Sequence, residues 1–295
     1  MAFRQSSRSR RSFRGLIIFL CIVTVVITAA VSFRLFRSGA EAGYLEIRFL
    51  DVGQADSALI VHDGHTVMID TGYRDNGAYL RHVLNNYGGK LSCLILSHPH
   101  GDHIGGALYI LEHCDVEMVI LPVGPGGDTR YEAILEEIEQ QNIPTKTMQP
   151  GEGFQMGRAR FTFLAPLADY SNENDGSYVI RLDYGEISAL FAGDAESDSE
   201  KDQLTLYGSA EGGYLDVDIL KVGHHGSASS TTENYLAAVT PTYAVISCGA
   251  GNDYGHPHRE VILRLSQAGS LTLRTDLAGD VVFRTDGETI ELLSE

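Results

Sequence analysis

The chain has 295 residues, 43% of them apolar, and a formal net charge of −17. It can bury one large core or two small ones, and its acidity excludes the globally basic footprint by which nucleic-acid binders hold phosphates. Cys21, Cys93, Cys114 and Cys248 include no Cys-x-x-Cys pair and no disulfide framework; the last three fall in predicted strands or at a helix end, as small buried hydrophobes.

Charge is segregated. Residues 1–40 hold seven arginines and no acid, leaving 15 basic against 39 acidic residues beyond them, a balance of −24. The apolar run 15–33 has 19 residues, enough to cross a bilayer as one helix. The arginines before it favour a cytoplasmic N-terminus, with everything after it outside the cell membrane. A signal peptide cut near Thr28-Ala29-Ala30 is the alternative and would make the protein secreted. The length of the run and the lack of a clean Ala-x-Ala favour an uncleaved single-pass anchor. Residues 1–43 are set apart as basic N-terminus, anchor and linker, and 44–295 as the folded domain.

That domain opens with strands over 45–50, 58–62 and 66–69. Helical spacing at Leu80, Val83 and Leu84 marks 77–87. Residues 91–96 are a buried strand, 104–114 a helix, 116–121 a strand, and 129–142 an amphipathic helix with Ile134, Leu135 and Ile138 inward. Residues 154–164 and 177–184 read as antiparallel strands joined by a polar loop over 169–176. Strands over 187–192, 216–222 and 243–248 then alternate with helices over 196–207, 231–239 and 259–268, and the tail 270–293 alternates in short strands. Two sheets with helices on their outer faces satisfy this interleaving in both halves.

The stretch Ser97-His98-Pro99-His100-Gly101-Asp102-His103 follows the buried strand and carries the pattern His-x-His-x-Asp-His. Two histidines two residues apart point to the same side of an extended chain, so His98 and His100 can grip one ion. Asp102 and His103, at the turn into the helix, can reach a second. Zinc accepts imidazole and carboxylate ligands, and a catalytic site keeps one position open for water. Asp194 ends an apolar strand, where loops build sites; capping the next helix is its alternative role.

Together with Phe49-Leu-Asp-Val-Gly-Gln-Ala-Asp-Ser57, Met68-Ile-Asp-Thr-Gly72, Ala192-Gly-Asp194, Leu220-Lys-Val-Gly-His-His-Gly-Ser227 and Tyr254-Gly-His-Pro-His258, this stretch resembles the metallo-β-lactamase superfamily. Within it, the likeness is to the soluble metal-binding domain of ComEC-type competence proteins. The resemblance runs from about Tyr44 to the C-terminus. It implies an α/β (α+β) fold, a four-layer αβ/βα sandwich with two divalent metal ions at one edge. It makes Asp194 the carboxylate that bridges them. Of His224 and His225, it makes one a ligand of the second metal and the other a residue facing the substrate. Neighbours on extended backbone point to opposite sides, which favours His225 as ligand and His224 as a phosphate contact. Ser227 and the amides after Gly226 are candidates to hold an oxyanion. His256 is a late ligand or proton donor, and His258 a helix cap.

The chain departs from the superfamily in one respect. Many of its hydrolases carry a further histidine between the first motif and the bridging aspartate; here only His113 stands there, on the first motif's own helix. Asn174-Asp175-Gly-Ser177 takes that place, with Asp175 a candidate ligand. Fewer nitrogen ligands would admit manganese beside zinc. Asp51, Asp56 and Asp70 are turn formers or orient the ligating histidines.

The metal set is thus His98, His100, Asp102, His103, Asp194 and His225, with Asp102, His224 and His256 as catalytic candidates and Ser227, His224 and His256 as substrate contacts. The expected activity is an extracytoplasmic phosphodiesterase or nuclease: paired ions lower the pKa of a bridging water and clamp the attacked and leaving oxygens. Two bound dications also change the local field on an otherwise acidic chain. The alternatives are hydrolysis of a lactone, thioester or β-lactam, and a non-catalytic anchored binding module. The expected partners are a phosphoester or nucleic-acid substrate and, through 15–33, the membrane; no protein partner is inferred.

Overall fold

The computed structural model describes residues 43–124, 129–208 and 213–293. The basic N-terminus, the 15–33 run and Cys21 lie outside them. Among the described residues no helix is long and apolar enough to cross a membrane.

In chain order the strands are β1 Leu45–Phe49, β2 Ala58–His62, β3 His65–Ile69, β4 Lys90–Leu91, β5 Cys93–Ile95, β6 Asp115–Val116, β7 Val119–Ile120, β8 Thr145–Lys146, β9 Gly153–Met156, β10 Ala159–Ala165, β11 Val179–Tyr184, β12 Ile187–Phe191, β13 Ile219–Lys221, β14 Tyr243–Ile246, β15 Leu271–Arg274, β16 Val281–Thr285 and β17 Ile290–Leu293. The α-helices are α1 Gly77–Asn85, α2 Gly101–Ile104, α3 Ala107–His113, α4 Thr129–Gln141, α5 Ser197–Tyr207, α6 Glu233–Val239, α7 Arg259–Gln267 and α8 Thr275–Ala278. One sheet runs β17-β16-β1-β2-β3-β5-β7-β8 and the other β15-β14-β13-β12-β11-β10-β9.

Side-chain alternation decides how these sheets stack. In β1, Leu45, Ile47 and Phe49 are buried while Glu46 and Arg48 are only half-buried. The three apolar residues join Ile60 and Ile69 of the first sheet and Phe161, Phe163, Ile180 and Phe191 of the second in one core between the sheets. The opposite face of the first sheet, with Leu59, Met68 and Leu94, packs on Leu80, Leu84, Ile110 and Ile134 of the helices. The opposite face of the second, with Leu190, Leu220 and Ile246, packs on Leu236, Val261 and Leu265. Each sheet is apolar on both faces, and the result is the four-layer αβ/βα sandwich.

Several elements differ from the sequence-based expectation. The helix expected over 104–114 is broken between α2 and α3. Gly105 and Gly106 pass so close to the Thr71–Gly72 backbone that a Cβ on Gly106 would lie 2.4 Å from the Thr71 carbonyl oxygen. The strand expected over 116–121 is two pieces: β6 pairs with β4 in a separate ribbon, and β7 joins the first sheet. Residues 154–164 are a hairpin, β9 with β10, turning at Gly157. The tail is shared out, because β15 extends the second sheet while β16 and β17 return to pair beside β1 in the first.

This topology fixes where the site lies. In the first sheet β3 and β5 are parallel, and in the second β12, β13 and β14 are parallel. Their carboxyl ends deliver Asp70, His98, Asp194 and His224 to one edge of the sandwich, the place where ligands bind in sheets of this kind.

The core between the sheets should dominate stability. Phe161 is fully buried and stacked on Phe154 with ring centroids 4.7 Å apart. Phe161→Ala should cost about 3–5 kcal/mol in unfolding free energy, read as a lower urea midpoint without loss of the native circular-dichroism spectrum.

Candidate metal centre

Asp194 sits at the centre. It follows β12 through Gly193, whose φ is +54° and where a Cβ would lie 2.9 Å from the Ser177 Cβ. Glycine is the residue for such a bend, and the bend sends the carboxylate inward, where it is 2% exposed.

Four imidazoles turn Nε2 toward this carboxylate. His103 is 3.3 Å from Oδ1, while His225, His224 and His98 are 3.6, 3.8 and 4.0 Å from Oδ2. The other nitrogen of each ring is tied elsewhere. Nδ1 of His103 meets Asp70 Oδ2 at 2.8 Å, that of His225 the Ser247 carbonyl at 2.9 Å, that of His98 Ser97 Oγ at 3.2 Å, and that of His224 Glu196 Oε1 at 2.8 Å. Ser97 Oγ donates its own proton to Asp70 Oδ2, so it accepts from His98. A ring that donates through Nδ1 keeps the lone pair on Nε2, which is the metal-ligating form.

The residues present fit a divalent cation. Nε2 of His98, His103 and His225 and Oδ1 of Asp194 are buried without a hydrogen-bond partner. Each such orphan costs about 1–3 kcal/mol, and cations placed among them would satisfy all four. The ligand atoms of Asp102, His103, Asp194 and His225 lie within 4.8 Å of one another. Asp56, Asp70 and His103 form a second such group. There the Asp56 carboxylate is already paired with the Lys221 ammonium, so it serves as support rather than as a metal site.

Without an ion the cluster draws positive charge to itself: burial opposes it, yet Asp194 raises both His103 and His225 above the usual imidazole range, and a cation at Nε2 would take the place of that proton. His103 and His225 hold Asp194 well below the usual carboxylate range even though burial opposes it. Burial pushes His98 down, with His103 adding to the effect, which keeps that ring neutral.

The remaining candidates are placed as follows. Asp102 Oδ2 lies 3.4 Å from His225 Nε2. His100 is more open: its ring lies beside His98, with centroids 4.5 Å apart, and its Nε2 meets Glu173 Oε2 at 2.9 Å. His256 stands at the mouth, its ring centroid 5.5 Å from that of His224. Gln54 fixes its tautomer. The Gln54 amide oxygen accepts from Gly249 N, so its amide nitrogen donates to His256 Nδ1 at 3.3 Å. His256 therefore presents Nε2–H outward. Burial, followed by His224, lowers its pKa to about 4, so it is a neutral donor rather than an imidazolium.

Some expectations need correction. His224 and His225 are not on extended backbone: both adopt left-handed conformations, with φ of 46° and 52°, in a tight turn from Gly223 to Gly226. The alternation argument fails, and both rings face Asp194. Asp175 caps α5 by accepting from the backbone N–H groups of Glu196 and Ser199. The Ser227 hydroxyl is engaged with Ser229 Oγ at 2.8 Å, within its own loop. His258 is the N-cap residue of α7, but its side chain accepts from Ala228 N instead. Asp51 is a turn former, accepting from Gly53 N. Asp70 orients His103, and Asp56 stands 3.5 Å from His225 Nδ1 and 3.8 Å from His103 Nδ1. His113 stacks on Tyr109 away from the centre.

Three supporting residues escaped the sequence reading. Lys221 is 4% exposed, pairs with Asp56 and donates to the Gly193 carbonyl at 3.0 Å. Its sequence signal was a lone lysine in an apolar strand. Glu196 and Gln54 gave no comparable signal, since each meets its histidine only through the fold.

Asp70→Asn keeps the shape but removes the charge facing His103. It should weaken binding of the more tightly held ion by about 10–100-fold, measured by competition titration against a chromophoric chelator; unchanged affinity would remove Asp70 from the support of the site.

Comparison with known proteins agrees with this architecture. The family profile described as "Metallo-beta-lactamase superfamily" matches residues 50–250. The chain is 31% identical to ComE operon protein 3 of Bacillus subtilis over 283 residues, covering 89% of this chain and 36% of that protein. It is 32% identical to recombination protein 2 of Haemophilus influenzae, covering 80% and 28%, and 31% identical to competence protein ComA of Neisseria gonorrhoeae, covering 79% and 31%. The chain thus spans about a third of the length of these relatives. Among solved structures, the metallo-beta-lactamase fold protein YhfI of Bacillus subtilis aligns with a TM-score of 0.54 at 14% identity, covering 81% of this chain and all of that one. The metallo hydrolase Igni18 of Ignicoccus hospitalis gives 0.53 at 14%, covering 81% and 98%. With the profile spanning most of the folded domain and the histidine-aspartate cluster in place, this chain belongs to the metallo-β-lactamase superfamily and resembles its ComEC-type competence members.

Proposed function

We propose that the protein is a membrane-anchored, metal-dependent phosphodiesterase acting outside the cytoplasm on nucleic acid or another phosphodiester. The observation that carries the reading is the convergence of the unpartnered Nε2 atoms of His98, His103 and His225 on buried Asp194. His98, His100 and Asp194 would hold one ion, and Asp102, His103, Asp194 and His225 the other. When bound, two divalent ions supply Lewis acidity and lower the pKa of water. Each position offers two imidazoles, and the second sets two carboxylates beside them; such mixed nitrogen–oxygen sets suit zinc and admit manganese.

The protein's own groups supply the rest. Asp70 and Ser247 hold His103 and His225 in register, so little rearrangement is needed during reaction. His256 offers a neutral Nε2–H at the mouth, suited to a non-bridging phosphoryl oxygen. Relatives named for competence and recombination favour a nucleic-acid substrate, although the chain matches only part of their length. The arginine-flanked run 15–33 supports the anchor and the outside location.

Purified protein loaded with zinc or manganese should hydrolyse bis-p-nitrophenyl phosphate and spare nitrocefin and lactones. His100→Ala and Asp194→Ala should each lower bound metal and abolish turnover. Turnover of a lactone or nitrocefin with none of the phosphodiester would overturn the substrate class. A reporter fused at the C-terminus should work only outside the cytoplasm, and cytoplasmic function would refute the topology.

A further inference from the structure

The first metal position is short of a ligand. The second has four candidates, Asp102, His103, Asp194 and His225, which fills a tetrahedral count. The first has His98, His100 and the shared Asp194. In the segment where a third histidine would fall, most polar groups are already engaged. Asp175 caps α5, Ser177 Oγ accepts from Asp194 N at 3.2 Å, and the amide nitrogens of Asn172 and Asn174 both donate to Glu196 at 3.0 Å.

We propose that His224 completes the first metal position, replacing the missing histidine from a different part of the chain. This rests on the metal-dependent reading above and goes beyond it by making His224, read from the sequence as a substrate contact, a ligand of the first metal beside His225 on the second.

Three observations carry the assignment. The first is ring polarity: His224 repeats the arrangement of His98, His103 and His225, with Nδ1 tied to a protein acceptor and Nε2 turned to Asp194. The second is the acceptor. Glu196, held by an asparagine amide on each of its oxygens, puts Oε1 2.8 Å from His224 Nδ1, with the Ser229 hydroxyl at 3.5 Å; the carboxylate beside Nδ1 favours the proton on that nitrogen. Such a carboxylate–histidine pair fixes both tautomer and orientation for ligation. His256 is the contrast, because Gln54 leaves it the opposite tautomer, with Nε2–H outward. The third is backbone. His224 has φ 46° and ψ 49°, a conformation costing about 1–2 kcal/mol for a residue with a Cβ. Such strain is typically retained where a site requires it.

Exposure agrees with the assignment. The His100 and His224 side chains are 37% and 24% exposed, against 0% and 2% for His103 and His225. His224 therefore lies with His100 on the outer side of the cluster, while His98, the other first-position histidine, is 1% exposed. Its Nε2 lies 3.8 Å from Asp194 Oδ2, the oxygen that Nε2 of His98 and of His225 also approach, at 4.0 and 3.6 Å, close to the roughly 3.4 Å that separates two ligands of one tetrahedral zinc. Asn174 Oδ1, buried and without a partner, is the competing donor. An amide oxygen is the weaker zinc ligand.

The test is metal stoichiometry in the full chain, independent of turnover. Wild type, loaded with zinc and desalted, should retain two ions by elemental analysis, and His224→Ala one. Glu196→Gln should retain two but bind the weaker one about 10–100-fold less tightly. Thermal melts of both variants near wild type exclude misfolding as the cause. Two ions of unchanged affinity in His224→Ala overturn the proposal and make His224 a substrate contact, as does loss of the ion from Asn174→Ala alone. Two ions in wild type without phosphodiester hydrolysis would instead refute the proposed substrate class and leave the ligand assignment to the stoichiometry.

Discussion

Everything at the active edge depends on one buried carboxylate. Asp194 is held at one edge of the sandwich, just past β12, with four imidazoles turned to it and Lys221 4.0 Å away. Asp56 and Asp70 are buried close by. An isolated ionised carboxylate in such a place would be very costly; here the charge is shared with His103, His225 and Lys221. The balance is incomplete, as the unpartnered Nε2 atoms show. A site whose donors are held in place by folding, yet not satisfied by it, has its affinity for cations built in.

The scaffold makes this affordable by separating the work of stability from that of the site. The apolar core lies between the sheets and under both helix layers, while the charged groups lie beyond the carboxyl ends of the parallel strands. Lys221 ties the two regions, reaching from β13 in the second sheet to Asp56 in a loop of the first. Breaking a buried pair of this kind by removing one partner leaves an uncompensated charge. The pair therefore also holds together two loops that present ligands.

Much of this was legible from the sequence because it depended on local pattern. Alternation in β1, the apolar run of β2, helical spacing in α1 and α4 and the His-x-His-x-Asp-His spacing each concern residues close in the chain; in α4 Ile134 and Ile138 are buried as expected, whereas Leu135 is exposed. Asp194 was readable because it ends an apolar strand. What the sequence did not disclose was long-range pairing. Nothing near Lys221 points to Asp56, nothing near Gln54 to His256, and nothing near Asp175 to its role as the cap of α5. The His224–His225 turn was misread for a different reason: two consecutive non-glycine residues in left-handed conformation are rare, so extended backbone was the natural expectation. The broken helix after the metal motif shows the same logic in reverse, with Gly105 and Gly106 serving close packing rather than helix formation.

The acidity of the domain bears on what it can hold. Beyond residue 40 the balance is −24, a field that opposes polyanions at long range. On the proposed phosphodiesterase reading, a substrate phosphate would have to be captured at short range. The groups suited to that are the two cation positions and a neutral donor, His256, whose ring carries no charge to repel the ions beside it. An imidazolium at the same point would compete with them. Gln54, by fixing the proton on the outward nitrogen, and burial, by keeping the ring neutral, would let the proposed anion contact stand one ring away from a cation-binding cluster. Recognition concentrated at a single phosphate would also suit an acidic domain that opposes a longer nucleic acid at long range.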